Sequence, residues 1–186
     1  VDLAGGLARL GAFDFPAKLL PVTRAYLQRM VGFASGPVAE DIKAVLREPP
    51  DEAAMARLTR TPFYNAQLRT TCVATMASAG EATNALPQRA SAVVNCRILP
   101  GESVSEVRNT LMRVMGNEKI TVTPMGEATL SPPSPLDERI MKPVTEVAGQ
   151  LWPGVPIVPT MSAGATDSRF LNNAGIAAYG ISHVHV

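Results

Sequence analysis

The chain has 186 residues, 46% hydrophobic and 18% charged, which is enough for one full domain or for one domain and part of another. A net charge of +1 with both signs interspersed excludes a basic stripe for nucleic acid or for an anionic membrane surface. No apolar run approaches the roughly 20 residues that cross a bilayer, so no membrane partner is expected.

Apolar side chains at Leu3, Ala4, Leu7 and Leu10 predict a short amphipathic helix over residues 2–10. From Phe13 to Pro62 the spacing stays helical but is broken by prolines, predicting helices near 21–34, 37–47 and 51–60, the last capped by Asp51. At Asn65 the period changes. Residues 68–76 and 90–99 are rich in β-branched side chains and read as two partner strands, with Leu68, Cys72, Ala74 and Met76 on one face and Val94, Cys96 and Ile98 on the matching one. That shared face needs a cover of helices. Ser103 and Glu106 form a capping box that opens a helix to about Met115, and Ile120 to Thr123 reads as a final strand.

The order is helix, inserted helices, strand, strand, helix, strand. One strand placed before residue 1 completes βαββαβ, so the expected fold is α+β: a ferredoxin-like sandwich lacking its first strand, with a helical insertion at 13–62. The start at Val1, with neither Met nor leader, fits an internal beginning. The expected first domain spans 1–127. From Ala128 a proline-rich stretch, Leu130 to Leu136, reads as a crossing into a second piece at 128–186. That piece would hold a helix from Asp137 to Leu151, stopped by Trp152-Pro153-Gly154 with the Trp packed on a sheet. Strands are expected at 156–159 and 177–182, with a helical turn or two at 167–173 between them.

Cys72 and Cys96 could be neighbours across a hairpin, but two buried free thiols is the preferred reading, and the redox compartment stays open. His183 and His185 are the two histidines. Spaced two apart on a strand they would share a side, but two ligands fall short of a zinc site, so strand-end roles are expected.

The succession Asn84-x-x-Pro87, Arg97-x-x-Pro100-Gly101, Ser134-Pro135, Trp152-Pro153-Gly154 and Gly164-x-Thr166-Asp167 resembles the di-zinc metallopeptidases that include acetylornithine deacetylase, succinyl-diaminopimelate desuccinylase, aminoacylase and glutamate carboxypeptidase. The similarity runs over residues 66–182, with a looser match at 1–12. It implies a dimerising lid at 1–127 and part of a zinc catalytic domain at 128–186. It also implies a substrate that is an N-acyl amino acid or short peptide with a free carboxylate. Two zinc ions would be held by ligands outside this chain, which carries no catalytic or metal residue of its own and is expected to be inactive alone. In the family, Asn84 and Arg97 stand where relatives bind the substrate carboxylate across the dimer interface. The chemistry suits them, since a guanidinium grips a carboxylate bidentately and an amide adds a neutral donor. Without the resemblance, Asn84 would be a turn residue and Arg97 a solvent-facing strand residue. Gly164, Ala165 and Thr166 are binding candidates through backbone groups, and Asp167 is expected to cap a helix or orient its loop. A homodimer through the lid is implied. Compartment is open between cytoplasmic and periplasmic or secreted. The competing reading is a non-catalytic ferredoxin-like module that dimerises or senses amino acids.

Overall fold

The structure is a computed structural model that describes residues 2–181. These divide into two compact units: residues up to Pro16 with Arg69–Leu130, and Ala17–Leu68 with the residues from Ser131 onward.

The first unit is a helix-covered hairpin. Helix α1 (Asp2–Gly11) is amphipathic, as its Leu spacing predicts, and buries Gly6 and Leu10. The hairpin consists of β1 (Thr71–Ala79) and β2 (Ala90–Arg97), paired antiparallel. The other helix of this unit, α6 (Val104–Met115), starts at the expected capping box, with Ser103 Oγ accepting from Glu106 N at 3.1 Å and Ser103 N donating to Glu106 Oε2 at 2.9 Å. It ends at Gly116, whose φ of 55° is the left-handed conformation that closes a helix most cheaply with glycine. Leu10, Phe15, Val107, Leu111 and Met115 form the core, and Cys72, Val94, Cys96 and Ile98 pack onto it from the inner face of the hairpin. The helix cover required by the sequence pattern is therefore α1 and α6.

Three details of the hairpin depart from expectation. Leu68 belongs to a helix, and the strand begins at Thr71. A bulge lies between Ala74 and Met76, so that Thr75 is the extra residue and Met76 pairs with Val93 rather than with an inner-face partner. Met76 is thereby turned to the outer face, where it is 68% exposed. Cys72 and Cys96 are not free thiols: they stand directly opposite in the ladder and form a disulfide. Side-chain spacing within one strand cannot reveal the register between two strands, which is what brings these sulfurs together.

Residues 120–123 do not form the predicted strand. Ile120 and Val122 still pack on the core, and Val122 O accepts from Arg108 Nε at 2.7 Å. An extended segment becomes a strand only beside a free ladder edge. Among the described residues the ladder consists of β1 and β2 alone, and this segment bonds to neither.

The second unit holds α2 (Pro21–Met30), α3 (Gly36–Val45), α4 (Glu52–Leu58) and α5 (Pro62–Leu68), then α7 (Glu138–Leu151) and α8 (Ser168–Asn173). Asp51 caps α4 as predicted, accepting from Ala54 N at 2.7 Å. Leu27, Ile42, Val45, Ala54 and Leu58 form a second core. The sequence reading grouped the inserted helices with the lid at 1–127; in the fold they share a compact unit with the segment from Ser131 onward. Neither 156–159 nor 177–181 is a strand. The latter is held instead through Asn172 of α8: Ala178 N donates to Asn172 Oδ1 at 3.0 Å, and Ser134 Oγ reaches both Asn172 Oδ1 (3.1 Å) and Ala178 O (2.7 Å). Side-chain bonds to the proline-rich crossing thus take the place of a ladder. Trp152 ends α7 as expected but is 39% exposed, and no sheet lies in this unit among the described residues.

Candidate functional site

Arg97 is the last residue of β2, paired with Thr71 and exposed. It faces away from the core, because the neighbouring Cys96 and Ile98 face inward. Asn95, opposite the exposed Val73, shares that outer face. The backbone beyond Arg97 is pinned by Thr70, only 1% exposed, whose Oγ accepts from Leu99 N at 2.8 Å and donates to Glu102 Oε2 at 2.5 Å. Gly101, with φ of 90°, makes the turn into the capping box. On the other side of Thr70, the 9%-exposed Arg69 pairs with Asp14 at 2.9 Å. Arg97 therefore projects from a rigid strand end.

Asn84 lies at the opposite end of the hairpin, in the exposed loop 80–89. Ala79, Gly80, Glu81, Thr83 and Pro87 of this region line a shallow hollow of about 340 Å³. Between the loop and Arg97 runs the whole of β2, seven residue steps at about 3.3 Å each, or roughly 23 Å. The fold does not bring the two predicted carboxylate ligands together within one chain.

Gly164, Ala165 and Thr166 are all exposed in the second unit. The loop that carries them is tightened by Ser162, whose Oγ accepts from Gly164 N at 3.2 Å and lies 3.1 Å from Gly164 O. A Cβ at Gly164 would meet nothing closer than 3.8 Å, so no contact inside the fold demands glycine there. Asp167 occupies the N-cap position of α8, but its side chain makes no capping bond. This helix has six residues, too short for its dipole to hold an anion strongly.

Two residues outside the predicted set support these loops. One is Thr70, which pins the backbone beyond Arg97. Gln67, 3% exposed at the end of α5, donates from Nε2 to Met161 O at 2.6 Å, directly before the Ser162 loop. Their sequence context gives no signal, because Asn65, Gln67, Arg69, Thr70 and Thr71 form a polar run in which only the fold decides which side chains are buried. At the head of α7, Arg139 binds Asp137 with both side chain and backbone N–H, and this holds the Asp137 carboxyl down to about 2.

Among the described residues no three His, Cys, Asp or Glu side chains gather where they could hold a metal ion. Both cysteines are bonded to each other, and His183 and His185 lie outside the described residues. The described side chains therefore do not fit a zinc centre by themselves.

The M20 peptidase dimerisation domain family matches residues 14–123. The human N-fatty-acyl-amino acid synthase/hydrolase PM20D1 is 30% identical over 132 residues, covering 69% of this chain and 26% of the relative. A probable carboxypeptidase S-like 2 of Dictyostelium discoideum is 27% identical over 115 residues, covering 60% of this chain and 22% of the relative. The chain thus spans about a quarter of the length of the curated relatives it matches. No solved structure matches it. With a match that takes in the hairpin, helix α6 and the inserted helices, the chain belongs to the M20 peptidase dimerisation domain family.

Proposed function

We propose that the chain is the dimerising and substrate-gripping part of a zinc-dependent exopeptidase or amidohydrolase. The parent would cleave the amide bond of an N-acyl amino acid or short peptide with a free carboxylate. The observation that carries this reading is the family match over residues 14–123, with relatives named as an N-fatty-acyl-amino acid hydrolase and as carboxypeptidase-like.

In this reading residues 1–127 form the lid, and 128–186 begin the return to the catalytic domain. Arg97, exposed at a pinned strand end, takes the substrate carboxylate through its guanidinium fork. Asn84 of the same chain is too far away to share that carboxylate. A second copy related by a two-fold axis can bring its own hairpin loop to the first copy's Arg97, so the clamp needs the dimer. Gly164, Ala165 and Thr166 offer backbone N–H groups to the ligand's carbonyl or carboxylate oxygens. Two zinc ions, held by residues outside this chain, would supply an activated water. The Cys72–Cys96 bond favours a periplasmic or secreted setting over a reducing one.

The test is to express the parent protein and assay a panel of N-acyl amino acids, dipeptides and their carboxyl-blocked esters, with and without chelation and zinc return. Hydrolysis restricted to free carboxylates, lost on chelation and restored by zinc, is expected, with light scattering showing a dimer. No hydrolysis of any panel member in the zinc-restored protein, together with binding of a free amino acid by the 186-residue chain, would replace this reading with that of a sensing module.

A further inference from the structure

One buried side chain joins the inserted helices to the loop that carries Gly164. The bond from Gln67 Nε2 to Met161 O links positions 94 residues apart, and Met161 immediately precedes Ser162. The backbone of Gln67 is itself held, since Gln67 O accepts from the Thr23 hydroxyl at 3.2 Å with Thr23 1% exposed. The next carbonyl, Leu68 O, accepts from Lys18 N at 2.6 Å. The backbone that carries the amide is thus held at Gln67 and at Leu68.

The other end of the same amide has no such use. Gln67 Oε1 is buried and has no hydrogen-bond partner. A buried acceptor left unpaired works against stability, and a Met side chain of similar length would fill the space without that penalty. What the amide does, and an apolar side chain would not, is to grip the Met161 carbonyl.

We propose that Gln67 is a positioning residue for the Ser162–Asp167 loop. Its N–H fixes the point from which the backbone of Gly164, Ala165 and Thr166 is presented, and it acts through Met161 rather than on the ligand. The functional weight of this assignment rests on the reading of that loop as part of the substrate pocket, while the bond itself can be tested apart from it.

The experiment uses the 186-residue chain. Amide protection factors are measured at Gly164, whose N–H is bonded to Ser162 Oγ, in the wild type, Gln67→Met and Gln67→Glu. In Gln67→Met, Gly164 is expected to exchange about fivefold to tenfold faster, the loss of one ordinary hydrogen bond. The melting temperature should change little, because removing the unpaired Oε1 offsets the loss of the bond to Met161 O. A glutamate in this buried position has a raised pKa. Its protonated form can donate to Met161 O and its ionised form cannot. Protection in Gln67→Glu should therefore fall as pH rises through that pKa, while the wild type and Gln67→Met show no such step.

Unchanged Gly164 protection in Gln67→Met would overturn the proposal, as would a Gln67→Glu variant with no pH step. If Gln67→Glu does not fold, Gln67→Met decides alone: a lowered melting temperature with protection lost evenly through the second unit would mean that Gln67 is only a packing residue. If the loop loosens in Gln67→Met while substitutions at Gly164 and Thr166 leave substrate binding by the parent unchanged, the positioning role stands and the pocket reading falls.

Discussion

Replacing both cysteines with serine is expected to destabilise the hairpin-bearing unit by about 3.5 kcal/mol. Cys72 and Cys96 are separated by 24 positions, so the bond closes a loop of about 25 residues in the unfolded chain. Loop-closure entropy for that length is about 12 cal/mol/K, which at 298 K gives the figure above and shifts the unfolding equilibrium by roughly 400-fold. The native side of the balance changes little, because the two positions already face each other in the ladder and the sulfurs sit half-buried on the core face. Urea unfolding followed by far-ultraviolet dichroism and by exchange of the β1 and β2 amides measures the change, with the oxidised wild type as reference. A reductant titration of the wild type should reach the same end point. The reasoning is refuted if the double variant and the oxidised protein unfold at the same urea concentration. Mass spectrometry after alkylation without reductant supplies an earlier check: two modified thiols would mean that the pairing itself does not form.

Ile42→Ala removes a fully buried side chain from the helical core beside Leu27, Val45 and Leu58, and should cost 2–5 kcal/mol. Denaturation followed by fluorescence of Trp152, the single tryptophan, which belongs to the same unit, reads this out. Asp137, held by the Arg139 side chain and backbone N–H, should titrate near 2 by carbon-13 NMR instead of near 3.8, and Arg139→Gln should move it upward. Because the folded value is depressed, the stabilisation from this cap is fully present above about pH 4 and is lost as pH falls through 2. In the parent protein, Arg97→Lys keeps the charge but breaks the planar fork, so KM for carboxylate substrates should rise tenfold or more. Asn95→Ala on the same face should change it little.

Amphipathic spacing, caps and turn residues were readable because each acts within a few positions of sequence. The Leu3–Leu7–Leu10 stripe gave α1, Asp51 and Ser103 with Glu106 gave two helix starts, and Arg97-x-x-Pro-Gly gave a strand end and turn. The ordered motifs likewise led to the family that the match over residues 14–123 shows.

Everything that depends on a distant partner had to come from tertiary structure. The extended segments at 120–123, 156–159 and 177–181 have strand-like composition but join no ladder among the described residues, so composition alone over-called them. The bulge at Thr75 reversed the facing of Met76, and the register it left behind placed Cys72 against Cys96. The hairpin's length put Asn84 and Arg97 at opposite ends of a strand, although only thirteen residues separate them. Gln67 became visible only when the fold laid α5 against Met161. Local rules determine which element a residue joins, whereas hydrogen-bond partners far along the chain determine what that residue faces, and the substrate site is made of facings.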